Sequence, residues 1–358
     1  MQRILHTFVL TCIVLHCVAQ NEVSMLFAGD AMSHIVQVKW AQTPEGKDYS
    51  ACFREVRQYT ETADYAVVNL EAPLDSMPYS GFPRFSAPDE YLDALKEAGF
   101  DLFLLANNHV VDRGGRGALR TLKQLESRNL SYAGVYANWE QRSCNYPYVK
   151  TFSNESDTLG VAFLNCTYGT NGLPVPEPLV VNIIDTACIR ADIDEIRSQV
   201  DMCVMCVHWG VEYKTRSSQQ QRQLAQWFAD AGIDLIIGGH PHVVQEYEVL
   251  TAKDGRSVPV FYSLGNMISN QRWRGSNGGI FVLVTADISS KRITDVRYLP
   301  VYVHKGVWKG ERQYHLLPTV NIIDTLERVN IPKADRDSIR VFYRQTTERL
   351  HNARLISE

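Results

Sequence analysis

The stretch VSMLFAGDAMSH, residues 23–34, runs from a short apolar segment into a glycine and a carboxylate, Asp30. The apolar residues 23–27 predict a buried strand that ends just before Asp30. A carboxylate directly after a strand is either a turn residue or a ligand. The rest of the chain has to decide between these two interpretations, because the same pattern recurs after other apolar runs.

Apolar runs rich in Val, Ile and Leu recur along the first two thirds of the chain and predict strands. They are YAVVNLE (65–71), FDLFLLANNH (100–109), LGVAFLNCT (159–167), MCVMCVHWG (202–210) and IDLIIGGHPH (233–242). Stretches with apolar residues at helical spacing lie between them, namely PDEYLDALKEAGF (88–100), GALRTLKQLESRNL (117–130) and SQQQRQLAQWFADAGI (218–233). Apolar runs that do not alternate with polar residues indicate strands buried on both faces. The pattern therefore predicts an α/β fold with much parallel sheet.

After residue 242 the pattern changes to strands joined by turns. The runs are VVQEYEVL (243–250), VPVFYSLGN (258–266), GGIFVLVTADI (278–288) and ITDVRYLPVYVH (293–304). Turn signals such as KDGRS (253–257) indicate that these strands are antiparallel. We therefore expect a sandwich of two mixed β-sheets flanked by helices over residues 20–320. Residues 321–358 are expected to form a peripheral helical tail with two helices.

The first 19 residues have the features of an export signal. A cation at Arg3 precedes an apolar run that ends in small residues before Ala19. The run is shorter than the roughly 20 apolar residues of a membrane span. The prediction is an exported protein, periplasmic or secreted, and the alternative is a membrane anchor formed by an uncleaved N-terminal segment.

Charge and cysteine content limit the function further. The net charge of -4 argues against a nucleic-acid groove, because neutralising phosphates takes a basic surplus. Cys203 and Cys206 lie three positions apart in an apolar run that predicts a strand, so they would point to opposite faces. We interpret them as buried thiols that act as small apolar side chains rather than as a redox pair.

Polar side chains stand at the ends of five predicted strands. They are Asp30, Asn69, Glu71, Asn107, Asn108, His109, His208, His240 and His242. In an open α/β sheet, ligands bind beyond the carboxyl ends of the strands. Imidazole nitrogens and carboxylate oxygens are ligands for zinc, manganese or iron, and a central carboxylate can bridge two cations about 3.5–4 Å apart. The pattern therefore predicts a site for one or two divalent metal ions at this edge.

Six ordered motifs resemble the CapA family, which is named for poly-γ-glutamate capsule synthesis and is similar to calcineurin-like metallophosphoesterases. The motifs are AGDAM, VVNLEAPL, LLANNHVVDRG, CVHWGVEY, GGHPHVVQ and YSLGN. The resemblance implies that Asp30, Glu71 and His242 hold a first cation. It implies that Glu71, Asn108, His208 and His240 hold a second one, with Glu71 bridging. His109 would then be the proton donor to the departing group, and water activated by the cations would be the nucleophile.

Two positions depart from the phosphoesterase pattern. Met32 stands where those enzymes place a histidine two residues after the first aspartate, and a thioether is a poor ligand for a borderline dication. Glu71 replaces the usual bridging aspartate with a longer side chain. Both changes weaken the first site, so we expect the second cation to be bound tightly and the first weakly or not at all. His34 is an alternative ligand for the first site.

Several further residues are candidates for roles near the metal ions. Asp112 either orients His109 or caps the following helix. Arg113 either binds an anionic substrate or forms a surface ion pair. Glu212 is expected to face the same cavity, and Asn266 to shape its opposite wall.

The sequence leaves three functions open. The first is an exported metal-dependent hydrolase that acts on a phosphoester or on an anionic envelope polymer. The second is a non-catalytic accessory protein that binds the polymer together with the envelope biosynthesis machinery. The third is a metal that serves only the fold, but a potential proton donor among the site residues favours an open site over a closed one.

Overall fold

The structure is a computed structural model that describes residues 21–356, and strands and helices alternate along the first part of this range. The strands are β1 Glu22–Ala31, β2 Gln42–Thr43, β3 Gly46–Lys47, β4 Tyr65–Leu70, β5 Leu102–Leu104, β6 Ser131–Ala133, β7 Val135–Tyr136, β8 Tyr148–Ser153, β9 Thr158–Thr167, β10 Val180–Val181, β11 Met202–His208, β12 Leu235–Gly239, β13 Tyr247–Thr251, β14 Ser257–Phe261, β15 Asn266–Ile268, β16 Gly278–Asp287, β17 Arg292–Trp308, β18 Glu311–Pro318 and β19 Arg354–Leu355. The predicted signal segment, residues 1–19, lies outside the described residues.

The helices confirm the helical periodicity of the sequence. They are α1 Ile35–Trp40, α2 Ser50–Phe53, α3 Arg57–Thr62, α4 Asp89–Glu97, α5 Gly114–Ser127, α6 Trp139–Asn145, α7 Thr186–Ile196, α8 Gln219–Ala231 and α9 Lys333–Arg349. Helix α8 begins with a capping box in which the Ser218 hydroxyl accepts from the backbone N–H of Gln221. It ends at Gly232, whose φ of 114° is a left-handed conformation that glycine adopts without strain.

The first of two large sheets has the strand order β18-β17-β16-β1-β4-β5-β6, with β15 beside β1 and β19 beside β17. Strands β1, β4, β5 and β6 are parallel to one another. Strands β16, β17 and β18 continue the sheet with antiparallel pairing. The predicted change from parallel to antiparallel strands is thus confirmed within one mixed sheet.

The second sheet has the order β13-β14-β12-β11-β9-β8. Strands β9, β11, β12 and β14 are parallel, and β8 and β13 pair antiparallel at the edges. The prediction that the run 258–266 is wholly antiparallel is wrong on one side. Its strand β14 forms the expected hairpin with β13, but the hairpin places β14 next to β12, so these two strands run in the same direction.

An apolar layer fills the space between the two sheets. Phe27 and Val67 of the first sheet belong to one buried cluster with Phe163, Val204 and Phe261 of the second. Separate clusters cover the outer faces, one including residues of α4 and α5 and one including residues of α7 and α8. Side chains of this size each stabilise the fold by about 1.5–3 kcal/mol when buried. The expected sandwich of two mixed sheets flanked by helices is confirmed.

The backbone of the AGD segment packs closely against the backbone at Gly265 near the site. A Cβ atom added at Gly29 would lie 2.0 Å from the carbonyl oxygen of Gly265, so only glycine fits there. The backbone N–H of Asp30 donates to that same carbonyl at 3.0 Å. Strand β1 continues through Asp30 to Ala31, with a register shift against β4 between Ala28 and Asp30. The prediction that the strand ends before Asp30 is wrong, and Asp30 is a strand residue rather than a turn residue.

The C-terminal segment packs closely onto the first sheet. Residues 323–328 form a 3-10 helix and α9 is an α-helix, so the two expected helices are present. Phe342 of α9 packs with Tyr302 and Trp308, and Leu350 reaches the layer between the sheets. The division into a main domain over residues 20–320 and a tail over 321–358 stays a prediction.

Two other predictions concern the cysteines and the membrane. The six cysteines of the described chain are free, and Cys203 and Cys206 lie buried in clusters on opposite faces of β11, which confirms their interpretation as buried thiols. Within residues 21–356, none of the helices has both the length and the apolar character that a membrane crossing requires.

Candidate metal centre

The carboxyl ends of strands from both sheets meet at one place. Glu71 directly follows β4 and Asn108 follows β5 after three residues, while His208 ends β11 and His240 follows β12. Asp30 joins them from the end of β1. All five side chains are buried, with at most 3% of their surface exposed. The sandwich therefore brings donors from two sheets into a single site, as the strand-end pattern predicts.

Glu71 is at the centre of this site. Its Oε1 atom lies 3.4 Å from Nε2 of His208 and 3.8 Å from Nε2 of His242. This buried oxygen has no hydrogen-bond partner among residues 21–356. The Oδ1 atom of Asn108 lies 2.8 Å from the same Nε2 of His208, so an amide oxygen joins the donors. A buried carboxylate oxygen without a partner is costly unless a proton or a cation is bound there.

Two groups of ligand atoms each lie within 4.8 Å of one another, and Glu71 belongs to both. One group is Asp30, Glu71 and His208, and the other is Glu71, His240 and His242. A shared carboxylate fits the predicted bridging role of Glu71. His242 also lies beside Asp30, and His208 beside Asn108, so the division of the histidines between a first and a second cation stays a prediction. The donors are those that zinc, manganese and iron accept, so the residues present fit one or two divalent ions.

Asp30 and His242 form a buried ion pair. The Oδ2 atom of Asp30 lies 3.2 Å from Nδ1 of His242. Burial alone would raise the pKa of Asp30, but the contacts with His242 and His208 outweigh it and lower the pKa to about 2. Burial likewise opposes protonation of His242, but the charges of Glu71 and Asp30 raise its pKa to about 9. Without a metal the pair is held charged, and a cation that bound at Nε2 of His242 would displace the proton from that nitrogen.

His240 is held as a neutral base. Burial lowers its pKa well below the usual value, and the neighbouring imidazoles of His208 and His242 lower it further. Its buried Nδ1 atom has no hydrogen-bond partner in the described chain. Its φ of 95° is unusual for a residue with a side chain, and His242 has a φ of 58°. Two strained histidines in one short loop, one of them with an unpartnered nitrogen, are typical of a ligand-binding segment.

Two asparagines orient these donors, and the sequence analysis did not assign them this role. The amide of Asn69 donates to Oδ1 of Asp30 at 2.8 Å and lies 3.5 Å from Glu71 Oε2. Asn266, predicted only as part of the cavity wall, has its Oδ1 atom 3.1 Å from Nδ1 of His242. Accepting the Nδ1 proton leaves Nε2 of His242 facing Glu71. The sequence signal for the orienting role of Asn69 was its position in β4, two residues before Glu71.

His109 and Asp112 form a second pair beside the metal ligands. Nδ1 of His109 lies 2.7 Å from Oδ2 of Asp112, and the backbone N–H of Phe85 donates to the same oxygen. The His109 ring also contacts the Phe85 ring edge-on at 4.7 Å. The cap residue of α5 is Arg113, so Asp112 has the orienting position rather than the capping one. This contact holds the Nδ1 side of the ring.

Other predicted residues lie at the edge of the site or outside it. Nε of Arg113 donates to the buried carboxylate of Asp75 at 3.1 Å, which is the ion-pair alternative. Glu212 is partly buried, and its charge helps burial raise the pKa of Tyr213 to about 12. Met32 lies in the apolar cluster outside the first sheet, which fits its poor ligand chemistry. Nδ1 of His34 accepts from the backbone N–H of Asn270 at 3.2 Å, so that nitrogen is not free for a metal.

The two-sheet sandwich and its strand-end site define a metallophosphoesterase-type fold with a candidate metal centre. A solved structure of Haemophilus influenzae NAD nucleotidase shows the same fold, with a TM-score of 0.50, 13% identity, and coverage of 94% of this chain and 64% of that one.

The family model described as "Bacterial capsule synthesis protein PGA_cap" matches residues 24–271, and the chain belongs to this family. It is 32% identical to the capsule biosynthesis protein CapA of Bacillus anthracis over 80% of this chain and 69% of that protein. It is 30% identical to the PGA biosynthesis protein CapA of Bacillus subtilis over 71% of this chain and 65% of that protein. The alignments thus span about two thirds of each relative. The predicted resemblance to the CapA family is confirmed.

Proposed function

We propose that this protein is an exported, metal-dependent hydrolase that acts on an anionic polymer in capsule or poly-γ-glutamate metabolism. The observation that carries the proposal is the position of Glu71. One buried, unpartnered carboxylate oxygen lies between two histidines and is shared by two groups of metal-ligand atoms. A fold that needed metal only for stability would favour a closed set of four ligands without a proton donor beside it.

The residues of the site have different roles in the proposed hydrolysis. A bound divalent cation would polarise the scissile group and lower the pKa of water toward neutrality. Asp30, Glu71, Asn108 and the three histidines would hold one or two divalent cations. His109, fixed at Nδ1 by Asp112, presents Nε2 to donate a proton to the leaving atom. Each cleavage adds one water across an ester or amide bond, and the leaving group departs with the proton of His109.

The experiment that tests this proposal combines metal analysis with a substrate screen. The purified chain is loaded with manganese, zinc or iron and assayed against phosphomonoesters, phosphodiesters and γ-linked glutamyl peptides. We expect turnover of at least one class, and loss of turnover by about 100-fold or more in His109→Ala with the metal content unchanged. His351→Ala, which changes an exposed histidine in the C-terminal segment, is the matched control. Equal turnover by His109→Ala and the native chain would contradict the proposed role of His109.

A second function is favoured by a specific observation at Met32. This side chain packs into the apolar cluster and leaves the first cation site without the ligand that phosphoesterases place there. The CapA relatives are also named for biosynthesis rather than for hydrolysis. The alternative is an accessory protein that binds the polymer without cleaving it. Polymer binding that persists after the metal is removed, together with no turnover in the screen, would favour this alternative.

Export is part of the proposal and rests on residues 1–19 alone. Expression of the full chain in a bacterial host, followed by N-terminal sequencing of the product, tests it. We expect cleavage after Ala19 and recovery outside the cytoplasm. An intact N-terminus in the membrane fraction would favour the retained anchor instead.

A further inference from the structure

A large open cleft lies beside the candidate metal centre. Its volume is about 520 Å³, and its lining includes Tyr213, Arg216, Arg274, Gln345 and Arg349. Clefts of this size accommodate a ligand of several linked units rather than a single small ion. Tyr213 connects the cleft to the centre, because its ring lies 6.0 Å from that of His242 and its backbone N–H donates to Pro241 at 2.8 Å.

The charges in this cleft are predominantly positive and poorly neutralised. The guanidinium groups of Arg216 and Arg274 are exposed and make no hydrogen bond or ion pair with any residue of the described chain. Arg349 is half-buried; burial lowers its pKa and the charge of Arg216 lowers it further, and the nearby charge of Glu246 offsets only part of this. Glu348 also lines the cleft, but its carboxylate lies 4.0 Å from Arg344. Three cations thus face the cleft with little opposing charge.

The remaining surface of the cleft is suited to an amide-linked chain. Gln345 and Thr215 supply neutral groups that can pair with amide N–H and C=O groups. The Tyr213 ring packs against Trp273 at 5.6 Å, and Trp273 is 65% exposed, so an aromatic surface lies at the rim. Guanidinium forks bind carboxylates through paired hydrogen bonds. A chain with a carboxylate on each unit and amide bonds between units would use both kinds of group.

We infer that the cleft lined by Arg216, Arg274 and Arg349 binds an acidic polyamide and leads it across Tyr213 toward the metal centre. The direction in which the polymer is led rests on the proposed function, but binding of the polymer requires only the three arginines. Arg349 is also fixed to the fold, because its Nη1 donates to the carbonyl of Val244 at 2.7 Å. Arg216 and Arg274 are therefore the positions to change.

The test measures binding of a fluorescein-labelled γ-linked glutamate decamer to the full chain with its metal bound. We expect the double variant Arg216→Gln/Arg274→Gln to weaken binding by about tenfold, as the loss of two exposed charge pairs implies. The matched control is Arg292→Gln/Arg328→Gln, which removes the same charge from two exposed arginines that do not line the cleft. It should change the affinity by less than about twofold. Melting curves check that each variant is folded, and Arg274→Glu alone serves if the double variant is not.

Several results of this experiment would overturn the inference. Unchanged affinity in the double variant would overturn it, as would equal weakening in the control pair, because the attraction would then come from overall charge. A γ-linked isoglutamine decamer, in which a carboxamide replaces the free α-carboxylate of each internal unit, should bind far more weakly. If the binding of inorganic polyphosphate depended on the two arginines and the binding of the glutamate decamer did not, the cleft would serve a phosphorylated ligand instead. The readout is binding, so a failure to detect hydrolysis would contradict the proposed function and leave this result intact.

Discussion

The Oδ1 atom of Asn108 lies 2.8 Å from Nε2 of His208, although 100 positions separate the two residues in the chain. Asn108 follows a strand of the first sheet, and His208 ends a strand of the second. The contact exists only when the two sheets pack face to face across the apolar layer. The candidate metal centre is therefore a product of the sandwich, and the fold and the site depend on the same packing.

Glu71→Gln should remove the stabilisation that metal gives to the protein. The substitution keeps the size of the side chain but replaces the shared anionic oxygen with a neutral amide. A ligand at 100 times its Kd stabilises the folded state by about 2.7 kcal/mol. For the native chain we therefore expect the melting temperature to rise by about 5 °C with manganese or zinc present. Glu71→Gln should show little or no rise.

Glu212→Gln is the matched control for this measurement, because Glu212 is a partly buried acid near the site and is not in either ligand group. Its metal-dependent rise in melting temperature should equal that of the native chain within about 1 °C. A native-sized rise in Glu71→Gln would mean that metal binds elsewhere.

Asp112→Asn should lower turnover through His109. The oxygen of Asp112 holds Nδ1 of His109, and an amide in its place no longer stabilises the protonated ring. We expect kcat to fall by about 10- to 100-fold with KM nearly unchanged. The backbone N–H of Phe85 also donates to Asp112, so melting curves must show that the variant folds. A rise in KM with unchanged kcat would indicate that Asp112 serves substrate binding instead.

Metal titration should give one tight ion for each chain. Met32 supplies no ligand, and Nδ1 of His34 accepts a hydrogen bond from Asn270. The first cation site, which includes Asp30, therefore has fewer donors than the second. We expect calorimetry with the metal-depleted chain to show a second ion that binds at least about tenfold more weakly. Two ions of equal affinity would contradict this expectation.

The sequence could predict the residues of the site because their placement follows from a simple rule. Buried strands in an α/β fold deliver their polar endings to one edge, and Asp30, Glu71, Asn108, His208 and His240 all obey this rule. The directions of the two histidine rings after β12 could not be predicted in the same way. They depend on the positive φ values of His240 and His242 within a three-residue turn.

The limits of the fold prediction have similar causes. Periodicity indicates that β14 is a strand, but its neighbour in the sheet is set by the packing of a hairpin against β12. The charged cleft also depends on distant segments. Arg216 and Arg349 come together only because the last turn of α9 packs near Val244, and a local pattern of residues carries no signal for that contact.

Gly29→Ala should destabilise the whole fold rather than only the site. The added methyl group would lie 2.0 Å from the carbonyl oxygen of Gly265, and neither backbone can move without breaking the Asp30 bond to the same oxygen. We expect a loss of about 2 kcal/mol or more in the free energy of unfolding, measured by urea denaturation. Gly169→Ala is the matched control, since a Cβ atom at Gly169 meets no atom within 4 Å. It should change the free energy by less than about 0.5 kcal/mol.

Asn266→Ala should weaken metal binding without removing any ligand. Asn266 holds Nδ1 of His242 at 3.1 Å and is itself held by its amide, which donates to the carbonyl of Ser276 at 2.8 Å. Groups that orient a ligating histidine typically contribute 10- to 100-fold to metal affinity, so we expect a loss of about that size. Asn145→Ala, an exposed position in α6, should leave the affinity unchanged. If Asn266→Ala bound metal as tightly as the native chain, Asn266 would not be the group that orients His242 for metal binding.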